Sequence, residues 1–457
     1  MLKTIIEPEK HVPVIEEADI CVLGGSCTGV FAAVRAARLG AKVVLIEKQN
    51  CLGGSATSGL VNIWHSLMDF QREEFVIAGL TREIVTRLVK RGSVIINEKK
   101  VDAFVFNSEE LKIELDEIVL ETNIKIYLHT AFAAPYIING NLEGVFIENK
   151  SGRSAILAKV FIDCTGDGDL CIQTGEESYT DSIIQPSTVG GKMTGLEMEL
   201  YGLGKIGDFD LNKAFLDHRE EFGIKHDGWG WSCIIPGVDN VTFQAITKIT
   251  GLDCASGQGL TEAEIEGRRQ LRAIIDLIRK YGPEDAKVSL VDIGSYIGIR
   301  ETRHIKSQYM LKESDCLTGA RFYDAVANST MRVDLHHSDK PGCTFRFMDG
   351  RQQYMRSGFP TDYSRWRDEL PQDPRYYQIP YRALLPKKQP NLLFAGRMLD
   401  ADRGAFASAR VMVILNQLGE AAGTAAYLAV KDGVSVQNID TRKLKELLVS
   451  GGSILNL

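Results

Sequence analysis

Residues 20–29 read ICVLGGSCTG, an apolar run that ends in a glycine-rich turn. The turn matches the pattern G-x-G-x-x-G except that Ser26 stands at the middle position, between Gly24 and Gly29. Gly24 suits the tight turn, and Gly29 lets a following helix pack closely on the strand. The middle position needs a small residue so that backbone N–H groups at a helix N-terminus can reach a phosphate. Serine meets that need, so the turn keeps its predicted phosphate-binding role.

The segments around this turn complete a strand–turn–helix–strand unit. Residues 19–23 predict a buried parallel strand, and the alanine-rich residues 28–40 predict a helix. A second apolar strand, residues 42–46, ends at Glu47, an acid placed to bind a ribose hydroxyl. The alternative, a glycine-rich turn that binds no nucleotide, is disfavoured by this context. We therefore predict a dinucleotide-binding unit at residues 19–47.

Composition excludes several classes of protein. The 457 residues carry a formal net charge of −7 and only short clusters of basic residues, which is not the footprint of a nucleic-acid-binding protein. There is no apolar run of the roughly 18 residues that a membrane-spanning helix needs. The nine cysteines include no C-x-x-C pair, so neither a disulfide framework nor a zinc or iron–sulfur site is indicated. We expect a reduced, cytoplasmic protein without a membrane span.

Later segments favour FAD over NAD as the dinucleotide. After Glu47, residues 48–59 form a loop of small residues where a nicotinamide dehydrogenase usually continues with a helix. Residues 159–163 predict a strand that ends in a Thr-Gly turn, and residues 391–394 predict one that ends in Gly-Arg. We expect a long Ala/Gly-rich helix to begin at residues 408–411 and to continue to about residue 429, with its first amides near the cofactor.

The combination of these motifs resembles a known family. The motifs are LGGSCTG, LGGSATSG, DCTGDGD, IGIRETRHI, IPYRALLP and AGRMLDADRGAFASARVM, together with Glu47. They resemble FAD-dependent oxidoreductases of the two-dinucleotide-binding-domain type, and most closely the branch that includes the flavoprotein part of heterodisulfide reductase. The chain departs from the family pattern at Ser26, at Cys27 where proline is common, and in lacking the cysteine runs that bind iron–sulfur clusters.

The resemblance implies a set of FAD-binding residues. The first turn would hold the pyrophosphate and Glu47 the adenosine ribose, while the later segments would lie beside the flavin and its ribityl chain. No segment resembles a flavin-linkage site, so we expect non-covalent FAD. The implied residues are Gly24, Gly25, Ser26, Cys27, Thr28, Gly29, Glu47, Lys48, Gly53, Gly54, Ser55, Ala56, Thr57, Thr165, Gly166, Gly396, Arg397, Arg410 and Val411.

The predicted fold class is α/β, with two kinds of domain. A Rossmann-like FAD-binding domain with a parallel sheet and a β-meander takes residues 1–177 and 387–457. Two amphipathic segments predict a helical insert at residues 75–122. Residues 178–386 mix a helix with polar and aromatic loops, and we expect a mixed α+β substrate domain that interrupts the FAD-binding domain.

Candidate catalytic residues cluster in the motif IGIRETRHI. Arg300 and Arg303 could clamp a substrate carboxylate and His304 could move a proton, although the same residues could form structural ion pairs at a domain junction. Two further candidates are His65, after the small-residue loop, and Arg382 in IPYRALLP.

A metal site is not predicted. The pair His336-His337 could suggest one, but by sequence alone no carboxylate or cysteine stands at ligand spacing.

The leading functional hypothesis is an FAD-dependent oxidoreductase that exchanges a hydride between the flavin and a small organic substrate. Two alternatives remain at this point: a flavoprotein electron-transfer subunit that docks a redox partner, and a nicotinamide-dependent dehydrogenase. The substrate and the electron acceptor or donor are not identified by the sequence, which is also compatible with a homo-oligomer.

Overall fold

A computed structural model describes residues 3–96, 103–228 and 230–455. Its α-helices in chain order are α1 (Cys27–Arg38), α2 (Gly79–Lys90), α3 (Ser108–Leu120), α4 (Asp169–Gln173), α5 (Leu211–His218), α6 (Gly257–Tyr281), α7 (Glu313–Thr318), α8 (Arg403–Ala409), α9 (Met412–Asp432) and α10 (Thr441–Ser450).

The strands in chain order are β1 (Val14–Leu23), β2 (Val43–Ile46), β3 (Ile63–His65), β4 (Val94–Ile96), β5 (Ala103–Phe106), β6 (Lys125–Tyr127), β7 (Ala131–Ile138), β8 (Asn141–Asn149), β9 (Gly152–Asp163), β10 (Ser178–Tyr179), β11 (Gly191–Thr194), β12 (Tyr201–Gly202), β13 (Trp231–Ile235), β14 (Val238–Ala245), β15 (Ser289–Ile293), β16 (His304–Ile305), β17 (Ala325–Ser329), β18 (Val333–His336), β19 (Cys343–Arg346), β20 (Arg351–Met355), β21 (Asp362–Arg365), β22 (Tyr377–Pro380) and β23 (Leu392–Phe394). The longest strands are β1, β7, β8 and β9 of the main sheet and β14 of another sheet.

The main sheet combines parallel strands with a meander. Strands β6, β2, β1 and β9 lie side by side and parallel, and β23 pairs in parallel with the end of β9. The first half of β9 pairs instead with β8, which pairs with β7, both in the antiparallel sense. The predicted Rossmann-like sheet with a β-meander is therefore confirmed. The parallel strands all end at one edge of the sheet, where ligands bind in open α/β folds.

Two helices cover one face of the sheet and pack tightly on each other. On α9, a Cβ added at Gly419 would lie 2.1 Å from the carbonyl oxygen of Thr28, and one at Gly423 would lie 2.1 Å from that of Ala32. Only glycine allows α9 to approach α1 this closely. The apolar end of β1 is buried on both sides, because Ile20 and Val22 pack with these helices while Cys21 and Leu23 pack with β8 and α4 on the other face.

Two local predictions differ from the structure. The helix expected to begin at residues 408–411 is two helices, because α8 ends at Ala409 and Val411 is extended (φ −73°, ψ 145°) before α9 begins. The insert at residues 75–122 contains the predicted helices, α2 and α3, but it also contains β4 and β5, which form a small antiparallel sheet with β3.

The middle of the chain forms further antiparallel sheets. Strands β12, β13, β14, β11 and β15 form one, and β18 to β21 form another. Helix α6 packs on the first of these and contributes to a hydrophobic core of its own. This agrees with a mixed α+β character, while the boundaries at residues 178 and 386 stay predictions. Across the described ranges, no helix is both long enough and apolar enough to cross a bilayer.

Candidate functional site

A cavity of about 920 Å³ opens at the edge where the parallel strands end. One wall consists of the turns that follow β1, β2, β9 and β23, and the opposite wall consists of segments between residues 186 and 361. The cavity is large enough for an extended ligand together with a small substrate.

The turn after β1 is built as a phosphate-binding turn requires. Gly24 has φ +99°, and an added Cβ would lie 2.3 Å from the carbonyl oxygen of Cys164. A Cβ at Gly29 would lie 1.8 Å from the carbonyl oxygen of Gly24. Ser26 is the N-cap of α1 and lines the cavity, so its side chain does not block the helix N-terminus. The turn thus offers backbone N–H groups and the positive end of the helix dipole to the cavity.

Glu47 lies where the ribose-binding acid was predicted, at the end of β2. Its carboxylate accepts hydrogen bonds from the backbone N–H groups of Gly25 at 2.5 Å and of Gln49 at 2.7 Å. Burial raises the pKa of the carboxyl, and these two hydrogen bonds act in the opposite direction. Each oxygen keeps a lone pair for a ribose hydroxyl, so Glu47 can hold both the turn and the ligand.

The small-residue loop lies against the first turn. The N–H of Gly53 donates to the carbonyl of Gly25 at 2.8 Å, and Gly53 has φ +108°. Gly53, Gly54 and Ser55 line the cavity. Thr57 faces away from it, since its hydroxyl donates to the carbonyl of Leu52 at 2.6 Å.

A second turn, after β9, faces the first. Asp163 holds it by accepting from the N–H of Thr165 at 3.0 Å and from the N–H of Leu170 at 2.9 Å. Thr165 and Gly166 line the cavity. The Nη2 atom of Arg397 donates to Asp167 at 2.6 Å, which ties this turn to the segment after β23.

The cradle therefore fits an extended dinucleotide such as FAD. Its close backbone approaches leave no space for a Cβ at Gly24 or Gly29, and Gly166 has φ +88°. Of the residues predicted to bind FAD, those that line the cavity are Gly24, Ser26, Cys27, Thr28, Glu47, Lys48, Gly53, Gly54, Ser55, Thr165, Gly166, Gly396, Arg397, Arg410 and Val411. Four others lie behind this surface and support it: Gly25, Gly29, Ala56 and Thr57.

Two of the five predicted catalytic residues line the cavity, His65 and Arg300. Arg300 donates through Nη1 to the carbonyl of Pro186 at 2.7 Å and to the hydroxyl of Thr188 at 2.6 Å. Burial, together with the positive charge of Arg410, lowers the pKa of Arg300 to about 10. The guanidinium is thus held in place and remains charged at neutral pH.

His304 lies outside the cavity and is fully buried, contrary to the prediction that it moves a substrate proton. Its Nδ1 atom lies 2.8 Å from the carbonyl oxygen of Leu399, and its Nε2 atom lies 3.3 Å from Glu301. Ligand atoms of Asp181, Glu301 and His304 lie within 4.8 Å of one another. Both ring nitrogens of His304 are already engaged, so we assign this group to a structural network and propose no metal there.

Arg303 and Arg382 also lie outside the cavity. Arg303 donates to the carbonyl of Ala255 at 2.9 Å. Arg382 pairs with Asp324 at 2.9 Å and lies over the ring of Tyr309. Neither side chain reaches a ligand in the cavity in this arrangement, because each is bound to protein groups elsewhere.

The sequence prediction missed the hairpin of β18 and β19. Asp334, His336 and Cys343 all line the cavity, on the wall opposite the phosphate-binding turns. His336 and Cys343 are directly paired across the two strands, and their Nδ1 and Sγ atoms lie 3.2 Å apart. Asp334 and Cys343 thus lie beside His336, although the sequence indicated no carboxylate or cysteine at metal-ligand spacing from it. The alternation of β18, which puts residues 334 and 336 on one face, was the available signal.

Charges around this hairpin set its protonation state. Burial opposes ionisation of Asp334, but the positive charges of Arg410 and Arg332, together with the proximity of the His336 ring, outweigh it and hold the pKa of that carboxyl far below its usual range. Burial lowers the pKa of His336, and it raises the pKa of the Cys343 thiol to about 12. Near neutral pH the site thus contains an ionised Asp334 beside a neutral imidazole and a neutral thiol.

Arginines surround this carboxylate. Nη2 of Arg410 lies 3.4 Å from Asp334, and the guanidinium of Arg332 lies 4.5 Å from the ring centre of Phe345. The Nε atoms of Arg332 and Arg410 are buried without a hydrogen-bond partner. Arg300 lines the same part of the cavity, so three arginines lie near Asp334. A second carboxylate of the lining, Asp227, pairs with Lys248 at 3.3 Å. The arrangement can bind an anion by charge-assisted hydrogen bonds.

Solved structures of similar shape share little sequence with this chain. A geranylgeranyl bacteriochlorophyll reductase-like protein from Thermoplasma acidophilum is 13% identical, over 95% of this chain and 84% of that one, with a TM-score of 0.49. The p-nitrophenol 4-monooxygenase from Pseudomonas putida DLL-E4 is 9% identical over the same shares, with a TM-score of 0.45. At such values they carry no argument about the substrate.

A third structure of this kind contains the cofactor. The glycerol-3-phosphate dehydrogenase from Bacillus halodurans, complexed with FAD, is 14% identical over 64% of this chain and 58% of that one, with a TM-score of 0.36.

Sequence comparison assigns the family. No curated protein matches the chain. The model of the family described as FAD dependent oxidoreductase matches residues 19–448, which include both walls of the cavity. The cradle described above has the shape and the backbone donors that the cofactor of that family requires. The chain therefore belongs to the FAD dependent oxidoreductase family, and it is a flavoenzyme whose cofactor is FAD.

Proposed function

We propose that this flavoenzyme exchanges a hydride with a small organic substrate that carries a carboxylate. Bound FAD supplies the hydride acceptor or donor. The observation that carries the proposal is the set of three arginines, Arg300, Arg332 and Arg410, around one carboxylate in the cavity. This excess of positive charge favours an anionic substrate.

Two of these arginines have a defined part in this proposal. Arg300 is fixed by Pro186 and Thr188, so its remaining N–H groups are oriented before a ligand arrives. Arg332 brings a buried Nε–H that has no partner within the described protein. An arriving carboxylate would satisfy that donor, whose burial without a partner is otherwise unfavourable. The substrate would thus be oriented by its carboxylate and its reactive carbon left to face the flavin.

The test is anaerobic flavin reduction by matched pairs of compounds. Hydroxy acids are compared with the corresponding neutral alcohols, and unsaturated or oxo acids are tested with the photoreduced flavin. Charge-assisted hydrogen bonds contribute about 1.5–3 kcal/mol each. The acid of an active pair should therefore exceed its neutral partner by roughly 10- to 150-fold in kcat/KM.

Substitutions of single arginines test which residue causes the preference for the acid. Arg332→Met should lose most of this preference while keeping stoichiometric FAD. Arg303→Met is the matched control, because it makes the same substitution at an arginine that lies outside the cavity and donates to the carbonyl of Ala255. A neutral substrate that is processed as well as its acid would contradict the proposal. If only a protein partner exchanges electrons with the flavin, the chain is an electron-transfer subunit instead.

The location of the enzyme, its second redox partner and its oligomeric state are also proposals. We propose a cytoplasmic enzyme that acts on a small molecule and passes electrons to or from a second, unidentified molecule. Its assembly into a homo-oligomer remains a proposal as well, to be tested by size-exclusion chromatography with light scattering.

A further inference from the structure

Three side chains of the β18–β19 hairpin form a line at the cavity wall. Sγ of Cys343 lies 3.2 Å from Nδ1 of His336, and Nε2 of His336 lies 3.3 Å from Oδ1 of Asp334. Strand alternation places residues 334 and 336 on one face, and the register places residue 343 directly opposite residue 336. The line is therefore a product of regular β structure.

The charges favour one tautomer of His336. Its Nε2 atom lies 3.3 Å from Oδ1 of the ionised Asp334, and that oxygen has no hydrogen-bond partner among the described residues, so a proton on Nε2 is electrostatically favoured. Nδ1 is then a lone pair that faces the thiol of Cys343. A thiol beside a base that is itself oriented by a carboxylate is the arrangement of a nucleophile activated for covalent catalysis.

We propose that Cys343 is a nucleophile that bonds reversibly to the carbonyl carbon of a carboxylate-bearing aldehyde or ketone in this cavity. As the S–C bond forms, the C=O double bond opens and the thiol proton passes to His336, which delivers it to the carbonyl oxygen. The product is a hemithioacetal or hemithioketal, and no oxidant or reductant is consumed. The anionic character of the ligand rests on the proposed function.

Neighbouring residues distinguish Cys343 from the other half-buried cysteine, Cys51. Cys51 also lies at a loop near the cofactor cradle, but its sulfur contacts the hydroxyl of Ser58 at 3.4 Å. No base is provided by that contact. Burial and the carboxylates of Asp334 and Asp227 raise the pKa of the Cys343 thiol, while the positive charges of Lys248 and Arg300 act in the opposite direction. The proposed reactivity of Cys343 therefore depends on proton transfer to the adjacent His336. Cys51 is therefore an internal reference for reactivity in the same molecule.

The experiment alkylates the holoenzyme with iodoacetate and with iodoacetamide and measures the rate at each cysteine by peptide mass spectrometry. We expect Cys343 to react at least tenfold faster than Cys51 with iodoacetate. We also expect Cys343 to prefer iodoacetate over iodoacetamide by a larger ratio than Cys51 does, because the arginines attract the anion. A Cys343 that reacts no faster than Cys51 would overturn the proposal.

Variants test the role of the line. His336→Gln and Asp334→Asn should each slow alkylation of Cys343 at least tenfold while FAD content and melting temperature are retained. The control is His337→Gln: His337 is also buried, but it bonds to Thr344 at 2.7 Å and is absent from the cavity lining. If His336→Gln loses its FAD, Asp334→Asn alone decides. An unchanged rate in a folded variant would show that the thiol is not activated.

Protection tests the covalent step. Glyoxylate should slow alkylation of Cys343 more than glycolate does, since only glyoxylate has a carbonyl, and more than acetaldehyde does, since only glyoxylate has a carboxylate. Equal protection by glyoxylate and glycolate would indicate anion binding without a bond and would overturn the proposal. If carboxylates reduce the flavin but Cys343 is not alkylated faster than Cys51, this inference is refuted and the proposed substrate class stands. If Cys343 is reactive but no carboxylate exchanges a hydride with the flavin, the proposed substrate class is refuted and the reactivity of Cys343 stands.

Discussion

Replacing Glu47 by glutamine separates its bond to the cofactor from its bonds to the protein. The buried carboxylate accepts N–H groups from Gly25 and Gln49, one on each oxygen. In Glu47→Gln, an NH₂ group must face one of those donors, which leaves a buried N–H unsatisfied at a cost of about 1–3 kcal/mol in the apoprotein. Loss of the charge-assisted bond to the ribose costs about 1.5–3 kcal/mol more in binding. The Kd for FAD should therefore rise by roughly 10- to 150-fold.

A second buried carboxylate provides the matched control. Glu176 also accepts backbone N–H groups, from Lys387 at 3.0 Å and from Gln389 at 2.8 Å, but it does not line the cavity. Glu176→Gln should lose similar stability in urea unfolding and keep its affinity for FAD. Affinity is measured by titrating the apoproteins with FAD and following flavin fluorescence. Equal FAD affinities in Glu47→Gln and Glu176→Gln would refute the assignment of Glu47 to the ribose.

Three further predictions concern the cofactor, the pH and the core. Acid precipitation should release the yellow chromophore as intact FAD, whereas pigment left on the precipitated chain would contradict non-covalent binding. Burial, together with the charges of Asp163 and Asp167, raises the pKa of Asp169 to about 6. Between about pH 4 and 6 the unfolded chain loses this proton while the folded apoprotein keeps it, so the free energy of unfolding falls as the pH rises through this range. Asp169→Asn should remove that loss, worth up to about 3 kcal/mol, in urea titrations at pH 8 but not near pH 4. Finally, Glu420→Gln breaks a buried ion pair with Arg35 and should destabilise by about 3–5 kcal/mol in the same assay, while the exposed Asp217→Asn should leave stability nearly unchanged.

Short-range patterns predicted the strands and turns that meet at the cavity. The turn at Gly24 depends on a strand, a helix and one acid within about 30 residues, and each has its own periodicity or turn signal. The later Thr-Gly and Gly-Arg segments follow strands in the same way. Because the strands are parallel, their ends meet at one edge of the sheet, so local motifs also predicted a shared location.

The positions of the residues on the opposite wall of the cavity depend on contacts between distant parts of the chain, which local sequence patterns do not specify. Arg300 and His304 are four residues apart, yet one lines the cavity and the other is enclosed by Leu399, Glu301 and Tyr179. Which side of that segment faces the cavity is decided by its distant partners. Cys343 meets His336 only through the register of a hairpin, and no spacing in the sequence specifies a register.

The helix break at Val411 also gave no signal. No glycine or proline marks it, and Arg410 and Val411 are compatible with a continuous helix. In the structure the break lets α9 begin at the cavity, where Met412 is part of the lining. Packing of α9 against α1 therefore overrides the local preference.

The strand that finishes the parallel sheet, β23, comes more than 200 residues after β9, its neighbour. On a ribosome, the first turn emerges long before the residues that form the far wall of its cavity. Arg397 and α9 follow later still, so a nascent chain can present Gly24 but cannot yet enclose a ligand there. Cofactor capture must then follow synthesis of nearly the whole family domain. A cell short of riboflavin would therefore accumulate finished chains with an empty cavity and not partly synthesised ones.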